Sequence, residues 1–219
     1  MNLKRIETMD ESKHLQINEA RWNKWAETVD GKSLRYDYLR SAQLGVISLL
    51  NLKENICMLD IGCGTGWALG QAANLIDGKG TFYGVDLSEK MIEKAKENFK
   101  GNENFHFLKA NAEEIPLEDN QFDIIICTNS FHHYFHQEKA LKEMHRLLKP
   151  QGKVYILDPT VDVWIAKGLA KVFHLFDRDH VRLHSTKEFE KMITGAGFKY
   201  VGVEKIKWHQ KVQVSEKLA

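Results

Sequence analysis

Two carboxylates and three glycines hold the densest chemistry in this 219-residue chain. Asp60 stands near the end of the apolar run Ile56-Cys57-Met58-Leu59, and Gly62, Gly64 and Gly66 follow before Trp67-Ala68-Leu69. Such a run reads as a buried parallel strand, where a carboxylate costs free energy unless a cation or hydrogen-bond donor meets it. The glycines permit a tight turn and close approach of another molecule to the backbone. The helix that follows would present free N–H groups at its start. The stretch is a small-molecule cradle with a negative charge beside it.

Further polar residues stand at the ends of later apolar runs. Asp86 closes Thr81-Phe82-Tyr83-Gly84-Val85, at the interval after the glycines expected of a carboxylate that receives two ribose hydroxyls. Taken alone, it would serve equally well as a cap for a helix starting near Ser88. Asn111 can both donate and accept, as the edge of an adenine requires, or it can make an ordinary Asx turn. Phe122 to Cys127 leads into Thr128-Asn129-Ser130-Phe131-His132-His133-Tyr134, where a reacting group would lie. His132 and His133 are the candidate bases, because an imidazole exchanges protons near neutral pH. A structural or substrate-shaping role for them is equally open. His132 and His136 are spaced for shared metal ligation on a helix, but no third ligand is evident nearby and no metal is expected.

The elements that position these residues follow from pattern. Strands are expected over 56–61, 81–86, 104–109, 122–128 and 153–158, and helices over 67–76, 88–99 and 136–148. This alternation implies a parallel sheet covered on both faces, with ligands beyond the carboxyl ends of its strands. Residues 1–54 read as a helical preface with patches over Ile17–Val29 and Leu39–Leu52. Their Trp22, Trp25, Tyr36 and Tyr38 would either staple the preface to the core or roof a ligand. Val161–Phe176 reads as an apolar helix, and a polar connection follows it. Ser185-Thr186-Lys187-Glu188 is a capping box, and the tail from Phe198 supplies an edge hairpin. The whole is expected to be one domain over 1–219: preface 1–54, cofactor-binding core 55–159, and substrate-side helices and terminal strands 160–219.

Composition narrows the possibilities. A hydrophobic share of 43% suits one good core, and 31 Lys and Arg against 30 Asp and Glu leave no basic field for nucleic acid. No run is long enough to span a bilayer, and the start lacks an apolar leader. The three cysteines, Cys57, Cys63 and Cys127, form neither a disulfide framework nor a CxxC site, in keeping with a reducing cytoplasm. A dinucleotide site of G-x-G-x-x-G type would need glycine where Trp67 stands, and Asp60 would repel its pyrophosphate.

From 57 to 159 the chain resembles the class I S-adenosylmethionine-dependent methyltransferases, through LDIGCGTG, GVDLSEKMIEKAK, KANAEEIPLEDNQFDIIIC and ALKEMHRLLKPQGKVYILDP. It looks most like the branch that holds the ubiquinone and menaquinone C-methyltransferases and many unassigned small-molecule enzymes. The resemblance implies a Rossmann-like three-layer α/β sandwich. Its seven-stranded, mostly parallel sheet would carry a C-terminal antiparallel strand and an N-terminal helical cap. It implies that Asp60 with Gly62, Gly64 and Gly66 holds the methionine part of S-adenosylmethionine, that Asp86 holds the ribose, and that Asn111 and Ala112 lie along the adenine. Cys63, Leu87, Glu113 and Asn129 complete the set. Many relatives carry Asp where Asn111 stands.

Base-modifying aminomethyltransferases would carry a proline-rich motif in place of Asn129-Ser130-Phe131, and carbon-5 cytosine methylation would need a cysteine there. Methyl transfer to a small molecule is therefore the expected activity, in a monomer or homodimer. A cofactor-binding regulatory or assembly protein without turnover is the alternative.

Overall fold

In the computed structural model, residues 10–28, 34–162, 182–207 and 209–219 are described. The apolar runs become strands β1 (Ile56–Ile61), β2 (Gly80–Asp86), β3 (Phe105–Lys109), β4 (Phe122–Thr128) and β5 (Leu148–Pro159). The tail forms the hairpin β6 (Phe198–Lys207) and β7 (Gln210–Lys217). They pair in the order β3-β2-β1-β4-β5-β7-β6. Neighbours from β3 to β5 are parallel, and β7 runs antiparallel to both β5 and β6. From β1 the chain winds outward through β2 and β3, then returns to β4 on the other side of β1. Ligand sites in open α/β sheets fall at such a reversal, beyond the carboxyl ends of the strands.

Both faces of the sheet are covered, as the fully apolar burial of Met58, Leu59, Ile125 and Ile126 requires. On one face Phe82, Ile126 and Leu157 pack with Ala42 and Val46 of α2 (Leu34–Ile47), Leu69 and Ala72 of α3 (Trp67–Asn74), and Ile92 of α4 (Glu89–Asn98). On the other, Leu59, Ile61 and Ile125 pack with Leu141 and Met144 of α5 (Gln137–Leu147), and with Phe189 and Ile193 of α6 (Thr186–Gly195). The result is the expected Rossmann-like three-layer sandwich.

The remaining helix, α1 (Glu11–Ala26), is attached differently. Its apolar contact is the small cluster of Ala26, Trp25 and Met91. Its other fastenings to the core include Lys109 to Glu19 and Lys90 to Glu27, each at 2.5 Å, the Ser88 hydroxyl donating to Asn23 Oδ1 at 2.6 Å, His14 Nε2 at 2.9 Å from the His133 carbonyl, and ring contacts of His14 with Phe135 and of Trp22 with His133.

Element boundaries differ from the sequence reading where local capping decides them. The first helix begins at Glu11, ahead of Ile17, because Asp10 caps it by accepting from the Ser12 N–H. The second begins at Leu34 and ends at Ile47, before Leu52. Strand β5 starts at Leu148, ahead of residue 153, so Leu148, expected as the last residue of a helix, and Lys149-Pro150 belong to it. The pairing slips between Phe122 and Ile124, and Gln151 takes a φ of 65° at the irregularity. The Ser185–Glu188 capping box forms in full. The apolar helix expected over Val161–Phe176 and most of the connection after it lie outside the described residues, as does the side chain of Tyr36.

Ile126 lies at the centre of the sheet with no exposure. Ile126→Ala is expected to lower the unfolding free energy by about 2 to 5 kcal/mol in urea titrations, whereas Leu75→Ala, on the surface, should change it by less than about 0.5 kcal/mol.

Candidate functional site

The turn after β1 is built by backbone bonds to β2. The Gly62 and Cys63 N–H groups donate to the Val85 carbonyl at 2.8 and 3.0 Å, and the Gly64 N–H donates to Asp86 Oδ2 at 2.9 Å. Asp86 Oδ1 accepts from the Ser88 N–H at 2.9 Å, so one carboxylate ties both turns together. Two glycines are needed for distinct reasons. At Gly62 (φ 80°) an added Cβ would lie 2.4 Å from Ser130 Oγ. At Gly64 (φ 54°) it would meet nothing within 4 Å, leaving the turn open there for another molecule. Ser130 donates to the Ile61 carbonyl at 3.1 Å and lies 3.0 Å from the Tyr134 hydroxyl, which locks the segment after β4 against the turn.

Asp60 is fully buried, and among the described residues neither of its carboxylate oxygens has a hydrogen-bond partner. Burial, reinforced by the neighbouring Asp86, pushes its pKa up to about 8. Asp86 is also raised by burial, against which the N–H groups of Ser88 and Gly64 act. A buried carboxylate and a half-buried one that share one turn make this end of the sheet a place for positive charge.

A cavity opens above the turn. Gly62, Cys63, Gly64, Asp86, Leu87, Asn111, Ala112, Glu113, Asn129 and His133 all line it. The structure thus brings most of the expected set together and places three members behind the wall. Asp60 sits one residue below Ile61 in the floor. Gly66 is the left-handed N-cap of α3, where a Cβ would strike the Phe107 ring at 2.8 Å. His132 is turned away, its Nδ1 2.8 Å from Oδ1 of the buried Asp158.

Several lining residues have defined second tasks. Asn111 Oδ1 accepts from the Glu113 N–H at 3.1 Å, so the Asx turn forms at a residue that also faces the cavity. The Glu113 carboxylate is engaged by His136, whose backbone N–H donates to Oε1 at 2.7 Å and whose Nδ1 lies 2.9 Å from Oε2. Asn129, at φ 55°, accepts from Gln210 Nε2 through its oxygen, and its own Nδ2 is buried with no partner among the described residues. The His133 ring is 4.0 Å from the His132 ring and 5.1 Å, edge-on, from Trp22.

The roof comes from the preface. Leu15, Trp22 and Trp25 of α1 and Leu39, Arg40 and Gln43 of α2 line the cavity, with the Arg40 guanidinium 5.4 Å from the centre of the Trp67 ring. Gln43 donates to Thr128 Oγ1 at 3.0 Å. Tyr38 is the staple among the preface aromatics, stacked on His209 at 5.8 Å with Lys207 Nζ 3.4 Å from its ring centre. Sequence reasoning missed Arg40, Gln43 and Asp158. The first two reach the site through helix packing that no local signal announces. Asp158 was legible as a carboxylate closing an apolar strand, the same signal that marked Asp60 and Asp86.

The donor set fits a ligand that brings a cation to Asp60 and hydroxyl groups to Asp86. It does not fit a pyrophosphate, which would meet both carboxylates.

A parallel sheet with a glycine turn and paired strand-end carboxylates defines a nucleotide-type small-molecule site in an α/β enzyme fold. Residues 52–211 match the family described as methyltransferase domain, and the chain belongs to that family. It is 30% identical over 164 residues to the uncharacterized methyltransferase YcgJ of Bacillus subtilis, covering 71% of this chain and 61% of that protein. It is 27% identical over 214 residues to the ubiquinone/menaquinone biosynthesis C-methyltransferase UbiE of Vibrio parahaemolyticus, covering 82% of each. Among solved structures, phosphoethanolamine N-methyltransferase 2 of Haemonchus contortus in complex with S-adenosyl-L-methionine superposes with a TM-score of 0.68 at 20% identity, over 81% of this chain and 52% of that one. Among the described residues no helix is long and apolar enough to cross a membrane.

The raised pKa of Asp60 makes stability depend on pH with a definite sign. Unfolded, the carboxyl loses its proton near pH 4, whereas folded it keeps it to about 8. Between these values the unfolded state binds fewer protons, so the ligand-free protein loses stability as pH rises. Asp60→Asn removes this contribution. Its melting temperature is expected to exceed the wild type's by a margin that widens from pH 5 to pH 8, as read by calorimetry.

Proposed function

We propose that the protein is an S-adenosylmethionine-dependent methyltransferase whose methyl acceptor is a small molecule. The observation that carries the reading is the buried Asp60 carboxylate, without a hydrogen-bond partner among the described residues, beneath an open glycine turn with Asp86 beside it. Bound there, the cofactor supplies an electrophilic methyl group on a sulfonium. Asp60 provides the negative charge for the amino acid end, and Asp86, held in place by Gly64 and Ser88, keeps lone pairs for the ribose diol. Arg40, over the glycine turn's Trp67, is placed for the carboxylate of the amino acid end. Asn111 and Ala112 line the far side, where a base edge would lie.

Transfer requires the acceptor atom in line with the sulfur–carbon bond, and positioning of that kind supplies up to about 7 to 11 kcal/mol. The segment after β4 does the positioning. It is fixed to Ile61 by Ser130, and it carries Asn129 and His133 on the cavity wall. His133 is the group placed to take a proton from the acceptor. His132, bound to Asp158, packs against its ring and sets its orientation. The acceptor enters beneath α1 and α2, whose Leu15, Trp22 and Leu39 close the cavity from above. A roof of that kind, on a chain with net charge +1, favours a small molecule over a nucleic acid or protein surface.

Incubation with methyl-labelled S-adenosylmethionine and a metabolite extract is expected to label a low-mass product. Label confined to macromolecules would refute the acceptor class, and calorimetry without any heat of cofactor binding would refute the whole reading. His133→Ala is expected to lower kcat by about a hundred- to ten-thousandfold with cofactor affinity unchanged. Undiminished turnover would remove the base assignment.

A further inference from the structure

One cluster of side chains at the edge of the cavity, given no step in the proposed transfer, joins three separate elements. Glu11 opens α1, Glu113 lies in the turn after β3, and His136 directly precedes α5. One carboxylate oxygen from each Glu and the imidazole Nδ1 all lie within 4.8 Å of one another. Nδ1 is 2.9 Å from Glu113 Oε2 and 3.7 Å from Glu11 Oε2. We propose that these three side chains bind one divalent first-row transition-metal ion, which fastens α1 across the cavity.

Three features point to a cation here. First, the side chain of Glu113 is only 3% exposed, and a carboxylate buried to that extent needs positive charge close by. The groups that face it are the His136 backbone N–H, which donates to Oε1 at 2.7 Å, the His136 imidazole at Oε2 and, across Glu11, the Lys139 ammonium at 3.9 Å from Glu11 Oε2. Lys139 is 54% exposed and free to swing into solvent, and Glu11, at 39%, has the slack to close on an ion. Second, metal–nitrogen and metal–oxygen bonds of about 2.0 to 2.2 Å hold neighbouring ligand atoms roughly 3 to 3.5 Å apart, close to the 2.9 and 3.7 Å that already separate Nδ1 from the two carboxylates. Third, one imidazole with two carboxylates suits Zn2+, Co2+ or Mn2+ better than Mg2+ or Ca2+, which take oxygen ligands.

The consequence lies in where Glu11 sits. The first turns of α1 carry His14, Leu15 and Asn18 on the cavity wall, and the ion pairs that tie α1 to the core at Glu19 and Glu27 are exposed. Such pairs contribute little. A coordinated ion would add to the His14 contact with the His133 carbonyl and tie the start of the helix to both the turn after β3 and the start of α5.

The test is titration of the metal-stripped full chain with Co2+, followed by visible absorption, and with Zn2+ by calorimetry. One ion per chain is expected, without a thiolate charge-transfer band, because no cysteine belongs to the cluster. Glu11→Gln and His136→Gln should each weaken binding by about tenfold or more. Both side chains are partly exposed, both variants are read by the same titration, and circular dichroism verifies their fold. Co2+ binding weaker than about 1 mM, a thiolate band, or variants that titrate like the wild type would each overturn the proposal.

Discussion

The structure turns on a carboxylate placed where a folded chain can least accommodate one. Asp60 lies near the carboxyl end of β1, covered on all sides, with no hydrogen-bond partner among the described residues and with Asp86 close enough to raise its pKa further. A side chain in that position destabilises the ligand-free protein. Its persistence makes sense if a cation completes it, and the neighbouring elements are arranged to admit one. The glycine turn is open at Gly64, and Asp86 holds that turn from the other side.

From this constraint the rest of the site follows in layers. Parallel packing of β1 between β2 and β4 brings the ends of three strands to one edge, so the glycine turn, Asp86 and the Asn129–Tyr134 segment become neighbours despite their separation in sequence. Gly62 lets Ser130 approach the turn, and Ser130 in turn bonds to Ile61 and Tyr134, so the wall that holds His133 is set by the same residues that shape the cradle. Only the roof is built otherwise. It rests on helices whose attachment is partly apolar, through α2, and largely polar, through α1. The part of the cavity proposed to meet the acceptor is therefore held in good part by exposed polar contacts.

Much of the core was legible in the chain because its signals are local. Apolar runs ending in Asp or Asn, glycines at alternate positions and Ser N-caps at 88 and 185 each encode their own structure, and all five strands of the parallel part form where those runs lie. The limits of α1 and β5 were less legible, since a cap at Asp10 and a bulge opposite Asp123 outweigh periodicity there. Arg40, Gln43 and the Glu11–Glu113–His136 cluster were not legible at all. Each joins residues brought together by packing of the preface on the sheet, and a single sequence carries no mark of that contact. The two adjacent histidines show the same limit. Spacing made them equivalent, whereas tertiary structure sends His133 to the cavity and ties His132 to Asp158.

The most direct test of the account is the titration of the Asp60 carboxyl itself, followed by carbon-13 NMR of aspartate-labelled protein with Asp60→Asn as the assignment control. Without ligand the signal is expected to titrate near pH 8, and with saturating S-adenosylmethionine its midpoint should fall well below neutrality as the ligand's ammonium stabilises the charged form. A midpoint near the ordinary carboxylate value in the free protein, or one that the ligand leaves in place, would contradict the claim that the site is organised around an unmet buried charge.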